Sequence, residues 1–122
     1  MKTIYESTFI AIGKSAAEAL DDNFLITFGE GAPNDIAEYC FIHRSDINPG
    51  ENFSAGALIT LGEHQYPITA VGDVARENLR DLGHITLRFD GSSSPEFPGT
   101  IHVIGKPPAV IHVGEKFCVF SD

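Results

Sequence analysis

The chain predicts an all-β fold: a single antiparallel barrel-like domain over residues 1–122, with about eight short strands and two short helices. Two observations predict it. Apolar residues recur at every second position in short runs, and Gly, Pro, Asn and Asp separate those runs. With 122 residues and a 43% apolar share, the chain can fill one core.

In chain order, the first strand covers 3–12. Ser15-Ala16-Ala17-Glu18 then fits a capping box, which predicts a brief helix to Leu20. Strands at 23–28 and 38–43 follow; the second lies in the run EYCFIHRSD, whose apolar part ends on His43. The stretch ALITLGEHQYPITAV predicts strands 57–62 and 65–71 around a tight Gly62-Glu63-His64 loop. Pro67 cannot donate to a ladder, so the second arm reads as an edge or bulged strand. Asp73 is placed to cap a helix from Val74 to Leu82, and Gly83 can close it in the left-handed conformation. Strand 84–90 comes next; Pro98-Gly99 suits a type II turn into strand 100–105, and strand 116–120 is the last.

Seventeen acidic against eight basic side chains give a formal charge of −9, which disfavours nucleic acid and anionic membranes and favours a basic protein partner. The N-terminus lacks the long apolar region of a signal peptide, and no segment approaches the roughly 18 apolar residues of a membrane span. Cys40 and Cys118 therefore read as reduced thiols, and the protein as cytoplasmic.

Several motifs fail on inspection. Gly13-Lys14-Ser15 has the tail of a phosphate-binding loop, but Thr8 stands where its first glycine belongs. Cys40 and His43 are spaced like metal ligands, yet no second close pair exists, and alternation puts the two on opposite strand faces. No G-x-S-x-G elbow is present, and the acidic residues read as solvated charge.

Phasing makes the histidines more informative. In strand 84–90, Ile85, Leu87 and Phe89 point inward, which leaves His84, Thr86, Arg88 and Asp90 together on the outer face. His102 likewise opposes Ile101 and Val103. Tyr39, Phe41 and His43 share a face, so His43 ends an aromatic row at a half-wet edge. Slight desolvation would keep such an imidazole neutral and nucleophilic near neutral pH; the alternative is a histidine with a purely structural role.

Leu25-Ile26-Thr27-Phe28, Glu30-Gly31-Ala32-Pro33 and Glu38-Tyr39-Cys40-Phe41-Ile42-His43 together resemble the glucitol/sorbitol-specific enzyme IIA component of the phosphoenolpyruvate-dependent sugar phosphotransferase system (PTS). So do Tyr66 to Gly72, Asn78 to His84, Thr86 to Gly91 and Glu96 to Thr100. The resemblance runs from about residue 10 to 105 in family order. It implies a phosphotransferase component that accepts a phosphoryl group from the carrier protein HPr on a histidine, here matched by His43. It also implies delivery to the sorbitol-specific IIB unit of the IIB/IIC membrane components, with no metal and no cofactor. His64, His84 and Arg88 are candidate supporting groups, with Arg44 a further clamp. An exposed apolar rim from Tyr39 or Phe41 would suit docking of a basic partner. The residues leave open whether the protein forms a homodimer, and a non-catalytic β-barrel binding or regulatory module is the alternative reading.

Overall fold

Alternation along Thr3–Ile12 buries Tyr5, Ser7 and Phe9 and turns Glu6 and Thr8 toward the surface. This strand, β1, belongs to a closed barrel in the computed structural model, which describes residues 2–121. The other strands are β2 (Phe24–Gly29), β3 (Phe41–Ile47), β4 (Leu58–Leu61), β5 (His64–Val71), β6 (Ile85–Arg88), β7 (Thr100–Val103) and β8 (Lys116–Phe120). Around the barrel they run β1-β3-β2-β6-β7-β5-β4-β8, and β8 pairs back onto β1. Closure leaves no edge strand among the described residues.

The eight expected strands are all present, but the barrel is not wholly antiparallel. β2 pairs with β3, and β6 with β7, in parallel. Parallel neighbours require a long crossover, which residues 30–40 and 89–99 supply. Pro67 lies on no edge either; it faces Leu58 beside the register shift between Ile68 and Ala70, where the ladder to β7 is already irregular.

The helices depart from their expected caps. Residues Ala16–Asp22 form a 3₁₀ helix, and the Ser15 hydroxyl donates to Glu38 Oε2 at 3.4 Å instead of capping. A tertiary contact has displaced the local one. A short helix not anticipated from the sequence, α1 (Asn34–Ala37), follows Pro33. The next, α2 (Ala75–Leu82), begins after Val74 without a side-chain cap from Asp73 and ends on Gly83 at φ 65°. Its Ala75 and Leu79 are buried against the barrel. The turn at Pro98-Gly99 exists, with the Thr100 amide donating to the Phe97 carbonyl, but Gly99 has no positive φ and the turn is not type II.

Inside the barrel, Phe9, Leu25, Phe41, Ile59, Leu61, Ile85, Leu87, Ile101, Phe117 and Val119 are all buried. Cys40 and Cys118 are buried free thiols. Among the described residues, no helix is long and apolar enough to cross a membrane.

Candidate functional site

β3 lies between β1 and β2, so His43 faces Phe9 on one neighbour and Gly29 on the other. Its ring is edge-on to Tyr5, Phe9 and Phe117, with centroids 6.0, 6.2 and 5.2 Å away. The expected half-wet edge is corrected here: His43 is 1% exposed, because the barrel strands and the end of α2 close over it. The aromatic row is corrected as well. Phe41 is buried beside His43, whereas Tyr39 precedes the strand and is 53% exposed. Of the two, Tyr39 is the one exposed.

Both ring nitrogens have partners. Nε2 is 2.7 Å from the Gly83 carbonyl oxygen, and a carbonyl can only accept, so Nε2 carries the proton in this arrangement. Nδ1 is 3.4 Å from the Tyr5 hydroxyl, which is 3.0 Å from Ser45 Oγ. The Gly83 carbonyl also accepts from Thr27 Oγ1 at 2.8 Å. Burial pushes the imidazole below its ordinary value of 6.5, with the Gly83 carbonyl opposing, so the ring is neutral near neutral pH. It is thus a sterically fixed, uncharged nitrogen base.

Gly83 makes this contact through its backbone. A Cβ there would come within 2.8 Å of the Gly29 nitrogen and 2.9 Å of His43 Nε2, at a φ that already favours glycine. His43 lines a cleft of about 200 Å³ with Gly29, Glu30, Arg44, Ser45 and the segment Arg80 to Gly83, the residue whose carbonyl Nε2 meets. Arg80 is paired with Asp81 at 2.9 Å, while Arg44 makes no ion pair among the described residues.

The other sequence candidates lie elsewhere. His84 and Arg88 share a second cleft of about 200 Å³ on the outer wall, with Asn78, Thr86 and Phe97. His84 stacks on Phe28 at 4.6 Å, and burial lowers its pKa. Arg88 lies 5.4 Å from the Phe24 ring centroid and 6.0 Å from that of Phe97, and its buried Nε has no partner among the described residues. The pair is therefore adjacent in the fold but does not line the His43 cleft. His64 is exposed at the β4–β5 hairpin and lines neither cleft. His102, expected on the outer face, is fully buried under the loop after β6: Nδ1 lies 2.8 Å from Asp90, and Nε2 accepts from the Glu96 amide at 3.3 Å.

The failed motifs have structural explanations. Gly13 allows β1 to pass against the Ala37 and Glu38 backbone, where a Cβ would collide with both carbonyl oxygens. Among the described residues, no three His, Cys, Asp or Glu side chains converge as a metal site. What the sequence reading missed is the set around His43: Tyr5, Thr27, Ser45 and Gly83. Alternation in β1 marks Tyr5 as inward, but which strand it meets depends on a pairing that no local pattern encodes.

Known proteins share both the sequence and the barrel. A family model described as "PTS system glucitol/sorbitol-specific IIA component" matches residues 4–118. Two proteins named "PTS system glucitol/sorbitol-specific EIIA component", from Shigella flexneri and Escherichia coli (strain K12), are each 54% identical, over 93% of this chain and 92% of theirs. The crystal structure of a PTS system IIA component from Enterococcus faecalis V583 superposes with a TM-score of 0.80 at 24% identity, covering 94% of this chain and 98% of the other, and shares the fold. By the reach of that family model and the identity to these relatives, the chain belongs to the glucitol/sorbitol-specific IIA component family of the PTS.

Proposed function

We propose that the protein is a cytoplasmic, single-domain phosphoryl carrier, with His43 the group that is transiently phosphorylated. It takes the phosphoryl group from phospho-HPr and passes it to the sorbitol-specific IIB unit for coupled polyol uptake and phosphorylation. The observation that carries this reading is the state of the His43 imidazole: neutral, held between aromatic rings and lining a cleft, with one nitrogen on the Gly83 carbonyl and the other on a hydroxyl. A relay needs a group that is nucleophilic when free and a good leaving group when loaded, and imidazole is both near neutral pH.

We take Nε2 as the attacking nitrogen, since it faces Gly83, which lines the cleft, while Nδ1 faces Tyr5. Its lone pair forms the bond to phosphorus as the donor's N–P bond breaks and that pair returns to the donor ring. Nε2 must part from the Gly83 carbonyl first. That oxygen keeps the Thr27 hydroxyl as donor, so the separation leaves no buried acceptor unpaired. Arg44 at the cleft can meet the phosphoryl oxygens, and transfer through a loose transition state asks the protein mainly for such positioning. His64, His84 and Arg88 have no direct part in this step.

The test is incubation with phosphoenolpyruvate, enzyme I and HPr. The wild-type chain should gain one acid-labile, alkali-stable phosphate, and His43→Ala should gain none. Full labelling of folded His43→Ala would move the site to another histidine, and no labelling of the wild type would leave a binding module.

A further inference from the structure

The resting hydrogen bonds of His43 put its proton on the wrong nitrogen for cleft-side attack. With Nε2–H donating to Gly83, which lines the cleft, the lone pair sits on Nδ1, toward Tyr5. Phosphorylation at Nε2, the reading on which this inference rests, therefore needs the other tautomer, with a proton on Nδ1 and something there to accept it. Phe9 and Phe117 wall the ring and offer neither donor nor acceptor. The Tyr5 hydroxyl is the polar group that reaches Nδ1, and it touches Ser45, which is exposed.

We infer that Tyr5 and Ser45 form a reversible hydroxyl chain that carries a proton to His43 Nδ1 and so presents Nε2 as the nucleophile. Before the shift, Ser45 donates to Tyr5 and Tyr5 donates to Nδ1. Afterward, Nδ1–H donates to the Tyr5 oxygen and Tyr5 donates to Ser45. One proton passes from Tyr5 to Nδ1, one from Ser45 to Tyr5 and one from solvent to Ser45, while the Nε2 proton leaves to water in the cleft. The balance is closed, and no heavy atom need cross the core. Hydroxyls suit this role because each can donate or accept by rotating about its C–O bond. The 3.4 Å separation is long, and such contacts shorten once the reacting partner is in place. With phosphate on Nε2, the same Tyr5 oxygen accepts from Nδ1–H and keeps the ring protonated there, which favours its departure as a neutral leaving group.

Tyr5 is thus a positioning residue, since it acts through His43. Tyr5→Phe removes one oxygen and keeps the ring packed against Phe117, so the fold should persist, with an unchanged melting temperature and circular dichroism as the control. In ¹⁵N-histidine-labelled protein, long-range ¹H–¹⁵N correlation should show wild-type His43 exchanging between tautomers and Tyr5→Phe held as Nε2–H. Phosphoryl uptake from phospho-HPr should slow about tenfold, the value of one buried hydrogen bond. Ser45→Ala should fall between the two, because the Tyr5 hydroxyl still reaches Nδ1 without it. A Tyr5→Phe variant with wild-type tautomers overturns the inference, whether uptake is normal or slow. The His43 reading is judged separately: His43→Ala that still labels defeats it, whereas His43→Ala that is dead beside a Tyr5→Phe of wild-type rate defeats only the hydroxyl chain.

Discussion

Gly83→Ala tests the contact that closes the His43 site. The residue sits at φ 65°, where an L side chain costs about 1–2 kcal/mol. The added Cβ would also lie 2.8 Å from the Gly29 nitrogen, 2.9 Å from its Cα and 2.9 Å from His43 Nε2. None of these is the free end of a flexible side chain: two are strand backbone, and the third belongs to a ring wedged among Tyr5, Phe9 and Phe117. Overpacking of that kind costs about 1–3 kcal/mol, which brings the total to roughly 2–5 kcal/mol. For a chain of this size, the melting temperature should fall by about 8 °C or more. Thermal and urea denaturation measure it. Gly83→Asn separates the two contributions, since asparagine tolerates the left-handed conformation but carries the same Cβ, and it should keep at least half of the loss. A Gly83→Ala melting temperature within about 2 °C of wild type would refute the reasoning, because it would mean that the α2 end does not press on His43.

Two further outcomes follow from buried histidines. Burial holds His43 and His84 below their ordinary value of 6.5, so the unfolded chain binds more protons than the folded one as pH drops past that value. Their contribution is full above pH 6.5 and declines below it; urea unfolding should give a smaller free energy at pH 5.5 than at 7.5, and an equal or larger one would contradict the assignment. His102→Ala removes a fully buried ring that holds Asp90 and the Glu96 amide. It should cost about 2–4 kcal/mol and speed amide exchange in residues 90–97, and a loss under about 0.5 kcal/mol would show that the ring does not anchor that loop.

Much of this molecule was legible in its residues. Strand positions follow from period-two alternation, which is local, and all eight strands appear, though the one expected at 38–43 runs Phe41–Ile47, so His43 lies within it and not at its end. The alternation His84, Thr86 and Arg88 outward against Ile85 and Leu87 inward is equally local and equally present. The failures share one cause. The capping of Ser15 and the burial of His102 each depended on a partner outside the local window: Glu38 and the Asp90 loop.

The same division runs through the site. The sequence alone determined that His43 ends an apolar run and shares a strand face with Phe41, though it was read at a half-wet edge, and the family's residues around it marked it as the group to watch. Its surroundings came only from closure of the barrel. Pairing β3 with β1 brings Tyr5 and Phe9 to the ring, pairing it with β2 brings Gly29, and the end of α2 then supplies the Gly83 carbonyl. Desolvation and tautomer are set by atoms that surround a side chain in space, and pairing, which no local window contains, decides which atoms those are.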